Sequence, residues 1–200
     1  DYGLSDNAKK PRKWQFPDLT IEAGQSLAIY CDTTQTTKAG SYTFTNYNLS
    51  VAGETIVLSD PSGNILDKLV VPTLPSDVSY GRTLGSAELF YYNSPSPGAI
   101  NQGGFVGFAQ MPTFVSTGGM YDQPPLLELN VPADTQVYYT TDATDPTAAS
   151  ALYTGPVQLG TGTTTIRARA YADDLAPSQI MTQTYFTSIY HAMPVIALTT

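Results

Sequence analysis

Cysteine and histidine are almost absent from this chain, which has one of each among 200 residues, Cys31 and His191. A single cysteine cannot close a disulfide within the chain, and the pair cannot supply the four ligands of a structural zinc site. Cys31 lies in the apolar run LAIYCD, and no histidine is near it in sequence. We therefore expect a buried, unreactive thiol rather than a nucleophile, and neither a metal nor a cofactor.

Charged residues are also scarce, at 13%, and the net charge is −8. This balance argues against a nucleic-acid partner, because phosphate binding requires a basic surface. Four of the nine basic residues lie in KKPRK, residues 9–13. That run matches nuclear-import and heparin-binding patterns, but we interpret it as a solvated loop between strands. No run approaches the ~18 apolar residues of a membrane-spanning helix, so no membrane span is predicted.

Threonine, serine, glycine, proline and tyrosine are abundant instead, and they favour strands and turns. No stretch longer than about eight residues keeps a helical period without Gly, Pro or β-branched clusters. The sequence DPSGN separates ETIVLSD from ILDKLVV and predicts a hairpin. Pro61 presets the first corner of the turn, and Gly63 and Asn64 tolerate the left-handed backbone that follows. The predicted fold class is all-β.

A break in the strand pattern divides the chain. The stretch SPSPGAINQGG, residues 94–104, has two prolines, three glycines and no charge. We place one domain at 1–102 and a second at 103–187, with 188–200 as a linker or the start of another domain. The second domain has six or seven short strand-like runs in about eighty residues, which is typical of an immunoglobulin-like sandwich.

The first domain resembles a bacterial lamin-tail domain in the order and spacing of six motifs. These are GLSD at 3–6, WQFP at 14–17, AGQSLAIYCD at 23–32, GETIVLSDPSGNILD at 53–67, SYGR at 79–82 and SPSPGAIN at 94–101. The resemblance implies an immunoglobulin-like β-sandwich. The strands that open the family are missing before GLSD, so an unpaired sheet edge is expected. We expect the chain to be an internal piece of a longer protein.

The second domain resembles the small C-terminal β-sandwich of bacterial chitobiases and hexosaminidases. The motifs are VYYTTDATDPT at 137–147, SALYTGPVQL at 150–159, TTTIRARAYADD at 164–174 and APSQIMTQTYF at 176–186. In those enzymes the module is an accessory, so the resemblance implies a fold and no hydrolysis. The last stretch, residues 188–200, resembles the start of a CotH-like kinase domain through HAMPVIALTT at 191–200. Nothing with the spacing of a kinase site occurs in the chain.

Two nearby acids, Asp142 and Asp145, are the first candidates for chemistry. A glycosidase needs two carboxyl groups held apart across a sugar, with one desolvated, and a calcium loop needs six or more oxygen ligands. The Thr-rich sequence TDATDPT satisfies neither requirement. We interpret Asp142, Asp145 and Pro146 as turn residues, with partial calcium binding and catalysis as alternatives. His191 belongs to no G-x-S-x-G hydrolase pattern, so no catalytic residue is assigned.

Fourteen tyrosines occur, against one tryptophan, and Tyr91–Tyr92 and Tyr138–Tyr139 are adjacent pairs. Neighbours in a strand face opposite ways, so one ring of each pair should leave its own core. Tyr138 and Tyr92 are the candidate ligand contacts, although we favour packing on the partner domain or bland exposure for such rings. For Trp14 we expect burial, on the same face as Phe16.

We predict two tandem immunoglobulin-like β-sandwiches from a secreted or surface-anchored bacterial protein. The leading function is a non-catalytic accessory, spacer or adhesion module that positions a downstream domain of the same chain. A carbohydrate-binding module is the first alternative, with polysaccharide or other surface components as partners. The second alternative is a fragment of a CotH-like kinase or another enzyme whose catalytic domain lies outside this sequence.

Overall fold

The computed structural model describes residues 1–35 and 43–189. The chain divides into two compact units, Asp1–Gly104 and Phe105–Thr200. Within the described residues there are strands and turns but no helix, which confirms the all-β class. The division falls at the end of the Pro- and Gly-rich stretch 94–104, where extended pairing stops.

The first unit contains eight strands within its described residues. They are β1 (Gly3–Ser5), β2 (Trp14–Gln15), β3 (Ile29–Tyr30), β4 (Thr43–Phe44), β5 (Glu54–Ser59), β6 (Ile65–Val71), β7 (Ser79–Arg82) and β8 (Leu89–Tyr92). Four of them form an antiparallel sheet in the order β2-β1-β5-β6. Strands β3 and β4 pair in parallel, and β7 pairs with β8 antiparallel.

The predicted hairpin joins β5 to β6. The amide of Asp60 donates to the carbonyl of Asn64 at 2.9 Å, and the amide of Gly63 donates to the carbonyl of Asp60 at 3.0 Å. One carboxylate oxygen of Asp60 also accepts from the amides of Ser62 and Asn64, each at 2.8 Å. Gly63 alone takes the left-handed conformation in this turn, with a φ of 88°. The prediction that Asn64 shares that conformation is wrong.

The two strands of this hairpin differ in burial. In β5, Val57 and Ser59 are fully buried, as expected where alternate residues face a core. In β6, most side chains are exposed on both faces, and Ile65, Leu66 and Val70 are among them. The apolar residues of ILDKLVV therefore do not form one packed face on β6, which is the last strand in the sheet order.

The second unit contains nine strands within its described residues. They are β9 (Thr113–Phe114), β10 (Gly119–Tyr121), β11 (Leu126–Leu127), β12 (Leu129–Asn130), β13 (Gln136–Thr140), β14 (Ala151–Leu152), β15 (Val157–Gln158), β16 (Gly162–Tyr171) and β17 (Met181–Thr187). Five form a sheet in the order β10-β17-β16-β13-β14. Two short pairs, β11 with β15 and β12 with β9, form the remaining ladders.

One core lies between the five-stranded sheet and the short ladders. The sheet contributes Val137, Ile166, Ala168, Ala170 and Tyr185, and the opposite side contributes Leu127, Leu129 and Leu159. From Ile166 to Ala170, strand β16 buries every second residue, which is the period of a strand with one packed face. Two layers of strands around a shared apolar core make a β-sandwich. Because Ile166, Ala168 and Ala170 of β16 point into the core, Arg167 and Arg169 lie on the outer face of the sheet.

Candidate functional site

The loop after β13 holds the two candidate acids. Asp142 accepts two hydrogen bonds on one carboxylate oxygen, from the Thr144 amide at 3.1 Å and from the Thr144 hydroxyl at 2.6 Å. This is an Asx turn, in which an aspartate stabilises the backbone two residues ahead. The Thr144 hydroxyl, and then its amide, lower the pKa of Asp142 below the ordinary value of 3.8. A lowered pKa keeps the carboxylate ionised, which does not suit a general acid.

Asp145 has a different partner. Its carboxylate forms an ion pair with Arg167 of β16, and the same guanidinium donates to the carbonyl of Ala143 at 3.2 Å. The next residue, Pro146, is fully buried, and its carbonyl accepts from the hydroxyl of Tyr171 at 3.2 Å. The loop is thus attached to the outer face of the five-stranded sheet at two points.

These contacts restrict what the loop can do chemically. Asp142 is bound to Thr144 and Asp145 is bound to Arg167, so the two carboxylates do not converge on a common ligand. Among residues 1–35 and 43–189, no three His, Cys, Asp or Glu side chains are grouped so that they could hold a metal ion. The geometry matches the turn interpretation of Asp142, Asp145 and Pro146.

The outer face of the five-stranded sheet contains Tyr138. Its neighbour Val137 is 1% exposed, so Tyr138 faces away from the core. The ring of Tyr138 meets the ring of Tyr171 edge to face, with centroids 5.4 Å apart and planes at 88°. Its hydroxyl donates to the side-chain oxygen of Gln136 at 3.1 Å. Tyr139 packs against the core instead.

This arrangement is poorly suited to stacking on a sugar. A flat platform requires rings that lie in one plane, whereas Tyr138 and Tyr171 are nearly perpendicular. The neighbouring arginines are also occupied, since Arg169 donates to the carbonyl of Ser178 at 2.8 Å and Arg167 pairs with Asp145. Tyr171 was not among the predicted site residues. Its even spacing from Arg167 and Arg169 along β16 is the signal that identifies it as a member of this face.

Tyr92 is a corrected prediction. Its ring is 1% exposed, and its hydroxyl lies 2.9 Å from that of Thr83. A ring enclosed in the first unit cannot contact a ligand at the surface, so Tyr92 is a core residue. The other member of the pair, Tyr91, packs on Tyr80 across the β7–β8 ladder, with centroids 4.8 Å apart.

The remaining candidates add no catalytic group. Cys31 is half-buried, and burial is the main cause that raises the pKa of its thiol above 9.0. A raised pKa lowers the fraction of nucleophilic thiolate. Trp14 is partly buried and contacts Phe16 edge to face at 4.9 Å, on the face that the sequence predicted. His191 and nearly all of the CotH-like stretch lie outside the described residues.

Comparison with known families gives one match. Residues 127–185 match the family model described as Fn3 associated, a domain found with fibronectin-III and bacterial immunoglobulin-like modules. No curated protein matches the chain. The described residues include no helix that is long and apolar enough to cross a membrane. The matched stretch begins in β11 and ends in β17. The similarity therefore covers most of the second unit, which is itself a β-sandwich.

Proposed function

We propose that the chain is a non-catalytic accessory module of a larger secreted or cell-surface bacterial protein. In this role its two units act as a spacer or adhesion segment and position a downstream domain. The lamin-tail, chitobiase-type and CotH-like resemblances in the sequence motivate this architecture. The similarity of residues 127–185 to a domain found with other β-modules supports an accessory role for the second unit.

One observation supports this proposal above the others. The candidate side chains for chemistry in the 138–146 stretch all bind or pack against other side chains of the second unit. Asp142 holds Thr144, Asp145 holds Arg167, and Tyr138 packs on Tyr171. Side chains used in this way stabilise a rigid module and leave no pair of groups free to act on a substrate.

A carbohydrate-binding module is the second candidate. Tyr138 supports it, because the ring lies on the outer sheet face rather than in the core, and aromatic faces stack on sugars. The perpendicular packing of Tyr138 on Tyr171 weighs against it. An enzyme fragment is the third candidate, and its catalytic residues would have to come from beyond this sequence.

A pull-down with insoluble chitin, cellulose and immobilised mucin glycans separates the first two candidates. We expect the wild-type chain to remain in the supernatant. Retention of the wild type together with loss in Tyr138→Ala would replace the spacer with the carbohydrate-binding function. Met120→Ala is the matched control, since Met120 is 58% exposed on β10 of the same sheet.

Activity assays address the third candidate. The 200-residue chain should neither hydrolyse chitin oligosaccharides nor transfer phosphate from ATP to protein substrates. Turnover in either assay that copurifies with the chain and disappears in a defined point variant would contradict the non-catalytic assignment.

A further inference from the structure

The first unit has an open cleft of about 400 Å³ at the end of β2. Six apolar side chains provide most of its lining: Tyr2, Phe16, Pro17, Leu19, Ile21 and Leu58. Ligand-binding clefts in proteins typically have volumes of 300–1,000 Å³ and mostly apolar walls, so this one has the size and chemistry of a binding site. It has no part in the accessory role proposed above.

The strand register explains why the cleft is apolar. Leu4 of β1 lies between Trp14 of β2 and Leu58 of β5, so these side chains share one face of the sheet. The amide of Phe16 donates to the carbonyl of Tyr2 at 3.0 Å, which keeps the chain beside β1 after β2 ends. Residues 17–28 then continue without a strand, and the first five of them supply Pro17, Asp18, Leu19 and Ile21 to the lining.

Apolar surface remains exposed around this cleft. Tyr2 is 53% exposed and Ile21 is 47% exposed, although both line it. Large apolar side chains that stay exposed next to a cleft mark interaction sites more often than isolated ones do. Strand β2 is also the last strand in the sheet order, so its outer edge has no partner strand among the described residues. An unpaired edge favours an extended ligand.

The charge of the cleft selects the partner. Asp1 and Asp18 are its charged lining residues. Both side chains are acidic, and Arg12, which donates to the backbone carbonyl of Asp1 at 3.5 Å, is not among the lining residues. No lysine or arginine occurs from residue 14 to residue 37, whereas Asp18, Glu22 and Asp32 do. The chain as a whole has a net charge of −8, which disfavours a second copy as the occupant.

We propose that the cleft binds an extended segment of a partner protein in which a bulky apolar side chain lies next to lysine or arginine. The apolar side chain enters the space between Phe16, Ile21 and Leu58. The basic side chain lies at the rim beside Asp18. This surface gives the module a protein-binding activity in addition to the spacer role.

The single tryptophan provides a direct readout. Trp14 contacts Phe16 at a centroid distance of 4.9 Å, and Phe16 lines the cleft. A bound segment therefore changes the surroundings of the only indole in the chain. The probes are two blocked heptapeptides without tryptophan or tyrosine, the basic Gly-Lys-Val-Phe-Val-Lys-Gly and the acidic Gly-Glu-Val-Phe-Glu-Val-Gly. We expect saturable changes in Trp14 emission with the basic peptide and none with the acidic one.

Variants locate the binding. Asp18→Lys should lower the affinity for the basic peptide by about fivefold, which is the scale of one ion pair at the rim of the cleft. Ile21→Thr should weaken binding of the basic peptide comparably, because it keeps the β-branched shape but replaces the ethyl group of Ile21 with a hydroxyl. Glu88→Lys and Val51→Thr are matched controls, since both positions are exposed in the same unit and neither lines the cleft. They should leave the affinity unchanged.

Four outcomes would overturn the proposal. These are no saturable change with the basic peptide, equal binding of both peptides, equal loss in the cleft and control variants, and concentration-dependent dimers that Asp18→Lys abolishes. The last result would assign the cleft to a second copy of the chain. None of them depends on polysaccharide retention, so the spacer proposal and this one can fail separately.

Discussion

At the scale of single residues, Asp142 shows how an acid in a turn is used for structure. Both groups that donate to its carboxylate belong to Thr144. Ala143, which lies between Asp142 and Thr144, has a φ of 64°. A left-handed alanine is sterically unfavourable, so other contacts must hold it in place. The Asp142 turn and the hydrogen bond from Arg167 to the Ala143 carbonyl provide them. The carboxylate therefore offsets local backbone strain.

The first prediction tests this role. Asp142→Ala removes the acceptor for both Thr144 donors and should lower the melting temperature measured by circular dichroism. Asp142→Asn keeps a side-chain oxygen in the same place and should retain most of the wild-type value. Addition of calcium or EDTA should not change any of the three melting temperatures. A drop caused by EDTA in the wild type alone would favour a metal at this loop.

The lowered pKa of Asp142 adds a pH dependence of known sign. Because the pKa in the folded state is below 3.8, the ionised carboxylate stabilises the folded state at pH values above that. This contribution is lost as the pH falls through the folded pKa. The melting-temperature gap between wild type and Asp142→Ala should therefore be constant from about pH 7 to pH 5 and narrow below about pH 4. A gap that widens on acidification would contradict the assignment.

Single residues also show the limit of sequence reasoning at the site. The adjacent tyrosines were correctly expected to face opposite ways, and Val137 identified the buried side of β13. In β8 the aliphatic Leu89 shares a face with Tyr91, so the same reasoning would select Tyr91, yet Tyr92 is the buried ring. The decision comes from packing: Tyr92 lies against Gly104, where a Cβ would be 2.8 Å from the ring. Contacts this distant in sequence cannot be derived from local pattern.

At the scale of elements, the position of the β5–β6 hairpin follows from its local sequence. Gly63 is its key residue, because its φ of 88° is unfavourable for any residue with a side chain. Space is not the obstacle, since a Cβ at Gly63 would come no closer than 3.9 Å to Arg12 and Pro11. Local turn chemistry therefore explains why this part of the fold was predictable.

The second prediction follows from that backbone requirement. Gly63→Ala should reduce the free energy of unfolding by about 1 kcal/mol, measured by urea denaturation. Gly81→Ala, in β7 with an ordinary φ, is the matched control and should cause no comparable loss. An equal loss at the two positions would contradict the role of the left-handed turn, because Gly→Ala by itself restricts the unfolded chain and favours folding.

Other elements depend on pairings that the sequence does not reveal. The run PLLELNVP, residues 125–132, has the length of a single strand, but it divides at Glu128 into β11 and β12, which pair with β15 and β9 respectively. Pro156, the residue before β15, lacks an N–H and cannot extend that ladder to Glu128. The carbonyl of Glu128 accepts from the Val115 amide at 2.8 Å, and the Leu129 amide donates to the Tyr153 hydroxyl at 3.0 Å. A change of partner within one apolar run has no local signature.

At the scale of the whole molecule, charge determines which partners can approach. The basic run KKPRK is a local exception in a chain of net charge −8. Two of its four basic side chains have partners within the first unit. The Lys13 ammonium is 2.7 Å from the carboxylate of Asp6 and 4.9 Å from the centroid of the Tyr47 ring. Arg12 donates to the side-chain oxygen of Gln15 at 3.1 Å. Lys9 and Lys10 remain exposed.

The third prediction concerns polyanions. Two exposed lysines release few counterions, and the acidic surface repels a sulfated chain that comes within the Debye length, about 8 Å at physiological salt. The chain should therefore pass through a heparin column at about 0.15 M NaCl. Asp6→Asn removes the partner of Lys13 without adding a base, and it should elute at nearly the same salt concentration. Retention of the wild type at 0.15 M salt, abolished when Lys9 and Lys10 are both changed to Gln, would establish a polyanion site at residues 9–13.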